Sequence, residues 1–528
     1  ARDVAAEAAG IAAALWSGDP ADTAGRGRLG CALRTEGSAA VLAGNEPLAR
    51  TKLSAAVEHL SACAESDAAT WSMPLAAALG AAAAVAPSST GAMDLYRRAI
   101  ALLDAARQRD DAGSGAARAV SYDRAGYSLA LVRLHVQLRE FGAARELLEQ
   151  LDAEIVEGDQ GRQRAELLRL RGRLAWDTGD RDAAVRHFAA CRDVCARLVE
   201  RQPRRPRAHA ALIEACGHLG TAYNYLERFA ESSAAYREAI AAADAMIAQF
   251  PDDPMARARL GAQLNRFAYV LRDRFRRQDL AEAAAWAARA TAVNDELPAT
   301  VTDRQPRWLL LSVEGGIADS CGAAGAAALW AEVDAEIGRL PELATEPEHD
   351  KLIEALTGIA RWRLASGDTG AAAARLRQAR ERIAAVAPGC NKRMAEVGWL
   401  EARLAVRDGE HAAAAEAAER IVAARSTWFG KRRAADCLRL ASSCADGELA
   451  AGYRDRAATY YRGVVDELAA DAAQRADDPY YVVPWGFAQL HLAAIAFDTG
   501  DDAQARARLD AALPALAAVR DDALVDEW

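Results

Sequence analysis

The sequence predicts an all-α protein built as an α-solenoid, which is a stack of helical hairpins. Alanine makes up roughly a fifth of the 528 residues, well above its ordinary usage, and aromatic residues only 6%. Alanine has the highest helix propensity, and its small side chain lets neighbouring helices approach closely. Alternating β-branched segments are almost absent, and no convincing β-hairpin signal occurs. Composition therefore favours closely packed helices.

A two-helix pattern recurs along the chain, and it is the second observation behind this prediction. In the clearest copy Gly172 lies in the middle of the first helix, Gly179 and Asp180 form the turn, and Ala184 and Phe188 lie one turn apart on the second helix. A small residue on the first helix lets the second helix cross closely. Related copies elsewhere predict roughly ten or eleven hairpins that cover most of the chain.

The turns of these hairpins share a glycine followed by a polar residue. Glycine supplies the left-handed residue that ends one helix, and a polar side chain caps the next. The pattern predicts five such turns, which begin at Gly44, Gly179, Gly367, Gly409 and Gly500.

This pattern resembles the tetratricopeptide repeat (TPR), a helix–turn–helix unit of about 34 residues with Leu-Gly-x2-Tyr and Ala-x3-Phe positions. Leu219-Gly220-x-x-Tyr223 matches the first of these. The resemblance implies a right-handed superhelix. We expect an N-terminal array over 1–300, an irregular repeat and linker over 301–350, and a C-terminal array with a C-terminal cap over 351–528.

Charge and cysteine usage narrow the classes of function. The net charge of −10 and the pI near 5.5 argue against a nucleic-acid or anionic-membrane binder. The longest uncharged apolar run, residues 73–86, is too short to span a membrane. Nine cysteines, an odd number, are typical of reduced thiols and predict a cytoplasmic location.

Two short motifs suggest chemistry, and each has a structural explanation. Asp-Thr-Gly occurs at 177–179 and at 498–500, as in an aspartic protease, but each copy follows a helical segment and fits a hairpin turn. The stretch from Gly25 to Gly30 matches Gly-x-Gly-x-x-Gly without a preceding strand, so we expect a helix entry loop rather than a nucleotide site. We expect no enzymatic activity, no cofactor and no metal.

Three cysteines fall on adjacent predicted helices. Cys191 and Cys195 lie one turn apart, and Cys216 lies on the following helix. Packing of small buried side chains is the favoured interpretation, with a functional thiol cluster as the alternative.

The TPR resemblance also implies where a partner binds, because the first helices of TPR hairpins line a concave face. Arginine, asparagine and aromatic side chains on such a face suit an extended peptide. An ordinary polar groove is the alternative, and the match to a TPR carboxylate clamp is loose. The predicted partner-binding residues are Arg169, Arg173, Trp176, Asp177, Glu214, Thr221, Asn224, Tyr225, Asn265, Tyr269 and Arg272.

The leading functional hypothesis is a non-enzymatic scaffold or regulatory module that binds a partner protein or peptide in this groove. The alternative is a regulatory sensor that binds a small molecule or signalling peptide and controls an attached or partner effector. The resemblance gives the class of function in both cases, and the partner follows from neither.

Overall fold

The computed structural model describes residues 2–19, 21–109, 115–155, 161–274, 276–299, 301, 304–340, 349–386 and 391–520. Within these ranges the chain forms 23 α-helices and no β-strand. This confirms the predicted all-α class.

The chain packs into two compact units. Unit 1 comprises Ala1–Arg259 and Pro298–Thr302, and unit 2 comprises Leu260–Leu297 and Asp303–Trp528. The helices of unit 1 are α1 (Arg2–Gly18), α2 (Thr23–Leu42), α3 (Glu46–Ser66), α4 (Ala68–Ala83), α5 (Ser89–Arg109), α6 (Gly115–Gln137), α7 (Phe141–Glu154), α8 (Gly161–Asp177), α9 (Arg181–Arg201), α10 (Pro206–Tyr225) and α11 (Phe229–Gln249). Helix α12 (Pro254–Arg272) begins in unit 1 and continues into unit 2.

The remaining helices belong to unit 2. They are α13 (Arg277–Asp295), α14 (Arg307–Ser320), α15 (Ala326–Gly338), α16 (His349–Ala365), α17 (Thr369–Val386), α18 (Asn391–Arg407), α19 (His411–Ala424), α20 (Trp428–Cys444), α21 (Gly447–Gln474), α22 (Pro479–Asp498) and α23 (Asp502–Val519). The predicted division into 1–300, 301–350 and 351–528 stays a prediction, and residues 341–348 of its middle part lie outside the described residues.

The helices pair as hairpins in chain order, starting with α2–α3 and ending with α22–α23. These 22 helices form eleven pairs in the described part of the chain, as the repeat pattern predicts. Within each unit, first helices of successive hairpins also touch, as α6 touches α8 and α18 touches α20. The surface formed by the first helices of the hairpins is called the A face below, and it positions every candidate site residue.

The turns have the predicted backbone. Gly179 and Gly500 have φ of 92° and 79°, a left-handed conformation that glycine adopts without strain. The side chain of Asp180 then accepts a hydrogen bond from the backbone N–H of Ala183 (3.0 Å), and Asp501 caps α23 in the same way. The other three predicted turn glycines also have positive φ: Gly44, Gly367 and Gly409. Both Asp-Thr-Gly triplets are therefore hairpin turns.

The mid-helix glycines also act as predicted. A Cβ on Gly172 would lie 2.5 Å from the ring of Phe188, and one on Gly220 would lie 2.8 Å from the ring of Tyr236. Neither glycine can be enlarged unless the aromatic ring of the second helix moves. These contacts make the hairpins α8–α9 and α10–α11 TPR-like.

The segment from Gly25 to Gly30 differs from its prediction. It lies inside α2 and is not an entry loop. A Cβ on Gly27 would lie 2.1 Å from the ring of Trp71, so this glycine makes room for a tryptophan of α4. Close helix packing explains the glycines that resemble a nucleotide-binding fingerprint.

The aromatic residues near the C-terminal end are part of the hydrophobic core. Tyr461 is fully buried, and Tyr453 and Tyr481 are buried beside it among alanine and valine side chains of α19 to α22. Tyr480 and Trp485 are partly buried and pack against the same cluster.

Candidate functional site

Arg169, on the A face of unit 1, is held by an acidic neighbour. Its Nε and Nη2 donate hydrogen bonds of 2.7 and 2.8 Å to the two carboxylate oxygens of Glu166, which also accepts one from Arg133 on α6 (2.7 Å). Burial alone would lower the pKa of Arg169, but the hydrogen bonds and charge of Glu166 raise it. Arg169 is therefore held by Glu166, which itself links α8 to α6 through Arg133.

The ends of α8 and α10 and the first residue of α9 form a more accessible group, called the Trp176 cluster (Arg173, Trp176, Asp177, Arg181 and Tyr225). Arg173 donates to Asp177 one turn further on (2.8 Å). The guanidinium of Arg181 lies 3.9 Å from the centroid of the Trp176 ring, and the Tyr225 ring meets Trp176 edge-on at 5.5 Å. Tyr225 is 71% exposed. Four of the predicted partner-binding residues are thus brought together.

The other predicted residues of α10 have different surroundings. Glu214 accepts a hydrogen bond from Arg259 (2.5 Å) and is exposed. The hydroxyl of Thr221 donates to the carbonyl of Gly217 (2.9 Å) and lies 2.8 Å from the hydroxyl of Tyr236 on α11. Thr221 therefore faces its own hairpin partner, and half-buried Asn224 lies one turn further on.

In unit 2, the predicted residues Tyr269 and Arg272 belong to a group called the Glu354 cluster (Tyr269, Arg272, Lys351, Glu354 and Arg393). Arg272 and Arg393 both donate to Glu354, the latter at 2.6 Å, and Lys351 lies 3.8 Å from it. The Tyr269 hydroxyl accepts from Arg393 (2.8 Å), and the Arg272 guanidinium lies 4.7 Å from the centroid of its ring. These contacts join α12, α16 and α18.

The opposite charges of the Glu354 cluster stabilise the ionised forms of its members. Burial would raise the pKa of Glu354, but Arg272, Arg393 and Lys351 hold it well below its usual range. Burial lowers the pKa of Lys351 to about 8 although Glu354 opposes the shift. Arg272 reaches Glu354 past Gly316 of α14, where a Cβ would lie 2.5 Å from its Nη1. Tyr269 and Arg272 therefore serve the interior of unit 2.

Asn265, the last predicted residue, lies on α12. Its side chain is 5% exposed, and its Oδ1 accepts no hydrogen bond from the described residues.

Unit 2 has a second candidate site that the sequence pattern did not indicate, called the arginine–tryptophan cavity. The cavity has a volume of about 470 Å³ and is formed by α14, α15, α16, α18 and α20. Its lining residues are Asp319, Ala323, Ala324, Ala326, Ala327, Arg361, Trp362, Ala365, Glu396, Trp399, Leu400, Arg403, Phe429, Arg432 and Arg433. Arg361, Trp399, Arg403 and Arg433 lie on first helices of the later hairpins, so the repeat pattern could have indicated them.

The acidic residues of this cavity already have other partners. Asp319 accepts a hydrogen bond from the indole of Trp330 (2.8 Å) and lies 4.0 Å from Arg361. Glu396 lies 3.8 Å from Arg393. Its arginines therefore dominate the charge of the cavity.

Two of these arginines lack a counter-charge. Within the described ranges, no carboxylate lies within 4 Å of Arg403 or Arg433. Their guanidinium carbons lie 6.0 and 5.6 Å from the centroid of the Trp399 ring. Burial and then the charges of Arg361 and Arg433 lower the pKa of Arg403. A positive potential is therefore concentrated beside a tryptophan face.

A more open cavity of about 750 Å³ between α17, α18 and α19 shows the contrast. It also has arginines, but Arg380 and Arg420 both donate to Glu401, at 3.0 and 2.9 Å. Five carboxylates line this cavity against three arginines, so its arginine charge is neutralised within the protein.

The three cysteines are buried, and Cys191 donates to the carbonyl of Ala165 (3.2 Å). The hydrogen bond with Cys195 and then burial raise the pKa of Cys191, and burial raises that of Cys216. Such thiols stay protonated and unreactive.

In the ranges given above, no group of three or more His, Cys, Asp or Glu side chains is placed to hold a metal ion. None of the described helices is long and apolar enough to cross a membrane.

The hairpins, turns and glycine–aromatic contacts define a TPR-like α-solenoid. No sequence family matches the chain, and no curated protein does. Several solved structures, however, match the chain in fold. The apo form of RapI is 12% identical over 75% of this chain and 98% of that chain (TM-score 0.45), and BtubC from P. vanneervenii is 12% identical over 50% and 96% (0.40). A tetratricopeptide repeat protein from Parabacteroides merdae is 12% identical over 64% and 98% (0.32). This likeness concerns the fold alone.

Proposed function

We propose that this chain is a non-enzymatic binding module that holds a partner protein or peptide against its A face. The observation that carries the proposal is the Trp176 cluster of unit 1. Exposed aromatic and arginine side chains that meet on adjacent helices are typical of the residues that dominate binding energy at interfaces. Tyr225 is 71% exposed and packs on Trp176. The cluster therefore offers an apolar anchor and a cation side by side.

The experiment selects peptides from a displayed library on the immobilised full chain and measures their affinity by calorimetry. Truncation of a binding tyrosine commonly weakens binding by about 2 kcal/mol, which is roughly 30-fold. We expect a loss of that size for Tyr225→Ala and a smaller loss for Arg173→Gln. The matched control is Arg186→Gln, an exposed arginine on α9 of the same hairpin as Arg173. Equal affinities for Tyr225→Ala and the unchanged chain would rule out the Trp176 cluster.

The arginine–tryptophan cavity favours a second candidate function, a regulatory sensor that binds a small molecule. Ligand pockets generally have volumes of about 300 to 1,000 Å³ and apolar walls with a few polar groups. The cavity of unit 2, at about 470 Å³ with three aromatic walls, fits this description. A ligand there would contact α16, α18 and α20 together, and would therefore bridge three hairpins.

A further inference from the structure

The arginine–tryptophan cavity combines flat apolar walls with unpaired cations. Trp362, Trp399 and Phe429 are its aromatic lining, and Leu400 adds an apolar contact. Aromatic faces of this kind bind flat rings, by stacking or by edge contacts. The walls therefore favour a ligand with a planar ring.

The arginines of the cavity indicate the charge of the ligand. Arg403 comes from α18 and Arg433 from α20, and both guanidinium groups lie beside the same Trp399 ring. A guanidinium is a planar fork that donates two parallel hydrogen bonds to a carboxylate or phosphate. Because these two arginines have no carboxylate partner in the described ranges, an oxyanion would supply the missing counter-charge.

The arrangement is unfavourable for folding. Burial, and then the neighbouring charges of Arg361 and Arg433, lower the pKa of Arg403, so its charge is held in surroundings that disfavour it. A protein tolerates such strain at sites where binding offsets it. The chain has a net charge of −10, so the positive cavity does not reflect its general composition.

We propose that the arginine–tryptophan cavity binds a small planar anion, namely an aromatic or heteroaromatic ring that carries a carboxylate or phosphate group. The ring lies against Trp399 and Phe429, and the oxyanion accepts hydrogen bonds from Arg403 and Arg433. This proposal names the ligand chemistry of the second candidate function and rests on it. It does not depend on the Trp176 cluster.

The experiment titrates the full chain by calorimetry with three ligands that share a ring: 1-naphthyl phosphate, 1-naphthoate and neutral 1-naphthol. Hydrogen bonds to a charged group contribute enough that we expect 1-naphthol to bind at least about tenfold more weakly than the better anion. The tighter of the two anions identifies the head group. Failure of both anions to bind, or equal binding of 1-naphthol, would overturn the proposal.

The variants locate the site. The double variant Arg403→Gln/Arg433→Gln should remove the preference for the anions, whereas Arg380→Gln/Arg420→Gln, in the neutralised second cavity, should keep it. Thermal melting checks that both variants fold. A preference that survives in Arg403→Gln/Arg433→Gln would place the anion elsewhere and refute the proposal. The peptide affinity of the Tyr225→Ala variant is measured separately, so failure of one proposal leaves the other standing.

Discussion

Two arginines of helix α18 show how differently one residue type is used within unit 2. Arg393 is buried and donates to Glu354 (2.6 Å) and Asp350 (3.1 Å). Arg403 keeps an exposed side chain on the A face although the cavity encloses part of it, and the charges nearest to it belong to other arginines. The first belongs to the Glu354 cluster and the second to the arginine–tryptophan cavity.

This difference separates arginines that hold the fold from arginines that are available to a ligand. A buried cation with a carboxylate partner costs several kcal/mol if that partner is removed, because its charge is then left uncompensated. An exposed arginine among like charges contributes little to stability or opposes folding slightly. Substitutions in the two groups of residues should therefore differ in their cost to stability.

Glu354→Gln should have the largest effect on stability. It leaves Arg272, Arg393 and Lys351 without their shared counter-charge, so we expect a loss of about 3 to 5 kcal/mol in urea unfolding. The control is Glu419→Gln, which breaks an exposed pair with Arg456 and should cost less than about 1 kcal/mol. Equal losses of unfolding free energy in the two variants would show that the ion pairs of Glu354 do not stabilise unit 2.

Gly316→Ala should disturb the same cluster by steric means. The added methyl would meet the Arg272 guanidinium, which Glu354 keeps in place, so a loss of about 1 to 3 kcal/mol is expected. Gly452→Ala on α21 is the matched control, since a Cβ there has no neighbour within 4 Å. That control should be stabilised by about 0.5 to 1 kcal/mol through helix propensity. A Gly316→Ala variant as stable as the unchanged chain would contradict the close passage of Arg272 over Gly316.

Lys351 predicts a pH dependence. Its pKa is about 8 in the folded chain against 10.5 in the unfolded chain, so between these values the unfolded state binds more protons. Stability should therefore rise with pH across this window, by at most about 1.4 kcal/mol per pH unit. Urea unfolding of the unchanged chain and of Lys351→Met measures this. The rise should be absent in the variant, and a parallel pH profile would refute the assignment.

Arg403→Gln should have the smallest effect on stability. It removes repulsion from Arg361 and Arg433 and breaks no ion pair of the described residues, so the change should lie within about 0.5 kcal/mol, with a tendency to stabilise. Thermal melting beside Arg393→Gln gives the comparison. Destabilisation by Arg403→Gln as large as that by Arg393→Gln would remove the distinction between the two regions.

The repeat architecture could be predicted from the sequence because its signals are local. Gly179 with Asp180 defines a turn within a few residues, and Gly172 with Phe188 defines how two adjacent helices cross. Such short-range patterns are present in the sequence whatever the rest of the fold does. The segment around Gly27, predicted as an entry loop, lies inside α2, and there too a glycine makes room for an aromatic ring, that of Trp71.

The use of each A-face residue could not be predicted, because it depends on contacts between distant residues. Arg272 is paired with Glu354, 82 positions away, and Thr221 turns towards Tyr236 of its own hairpin. The repeat pattern places these residues on a first helix but does not show which neighbours they meet. The arginine–tryptophan cavity was missed because partner-binding residues were predicted only on the first helices between Arg169 and Arg272, whereas Arg361 and Arg403 lie on later first helices.

The most direct test is thermal melting of Arg393→Gln and Arg403→Gln, each with and without 1-naphthyl phosphate. We expect Arg393→Gln to melt at a lower temperature yet to keep the ligand-induced rise in melting temperature. Arg403→Gln should melt close to the unchanged chain and lose most of that rise. A single variant that both melts at a lower temperature and loses the ligand-induced rise would contradict the division between a structural cluster and a ligand site.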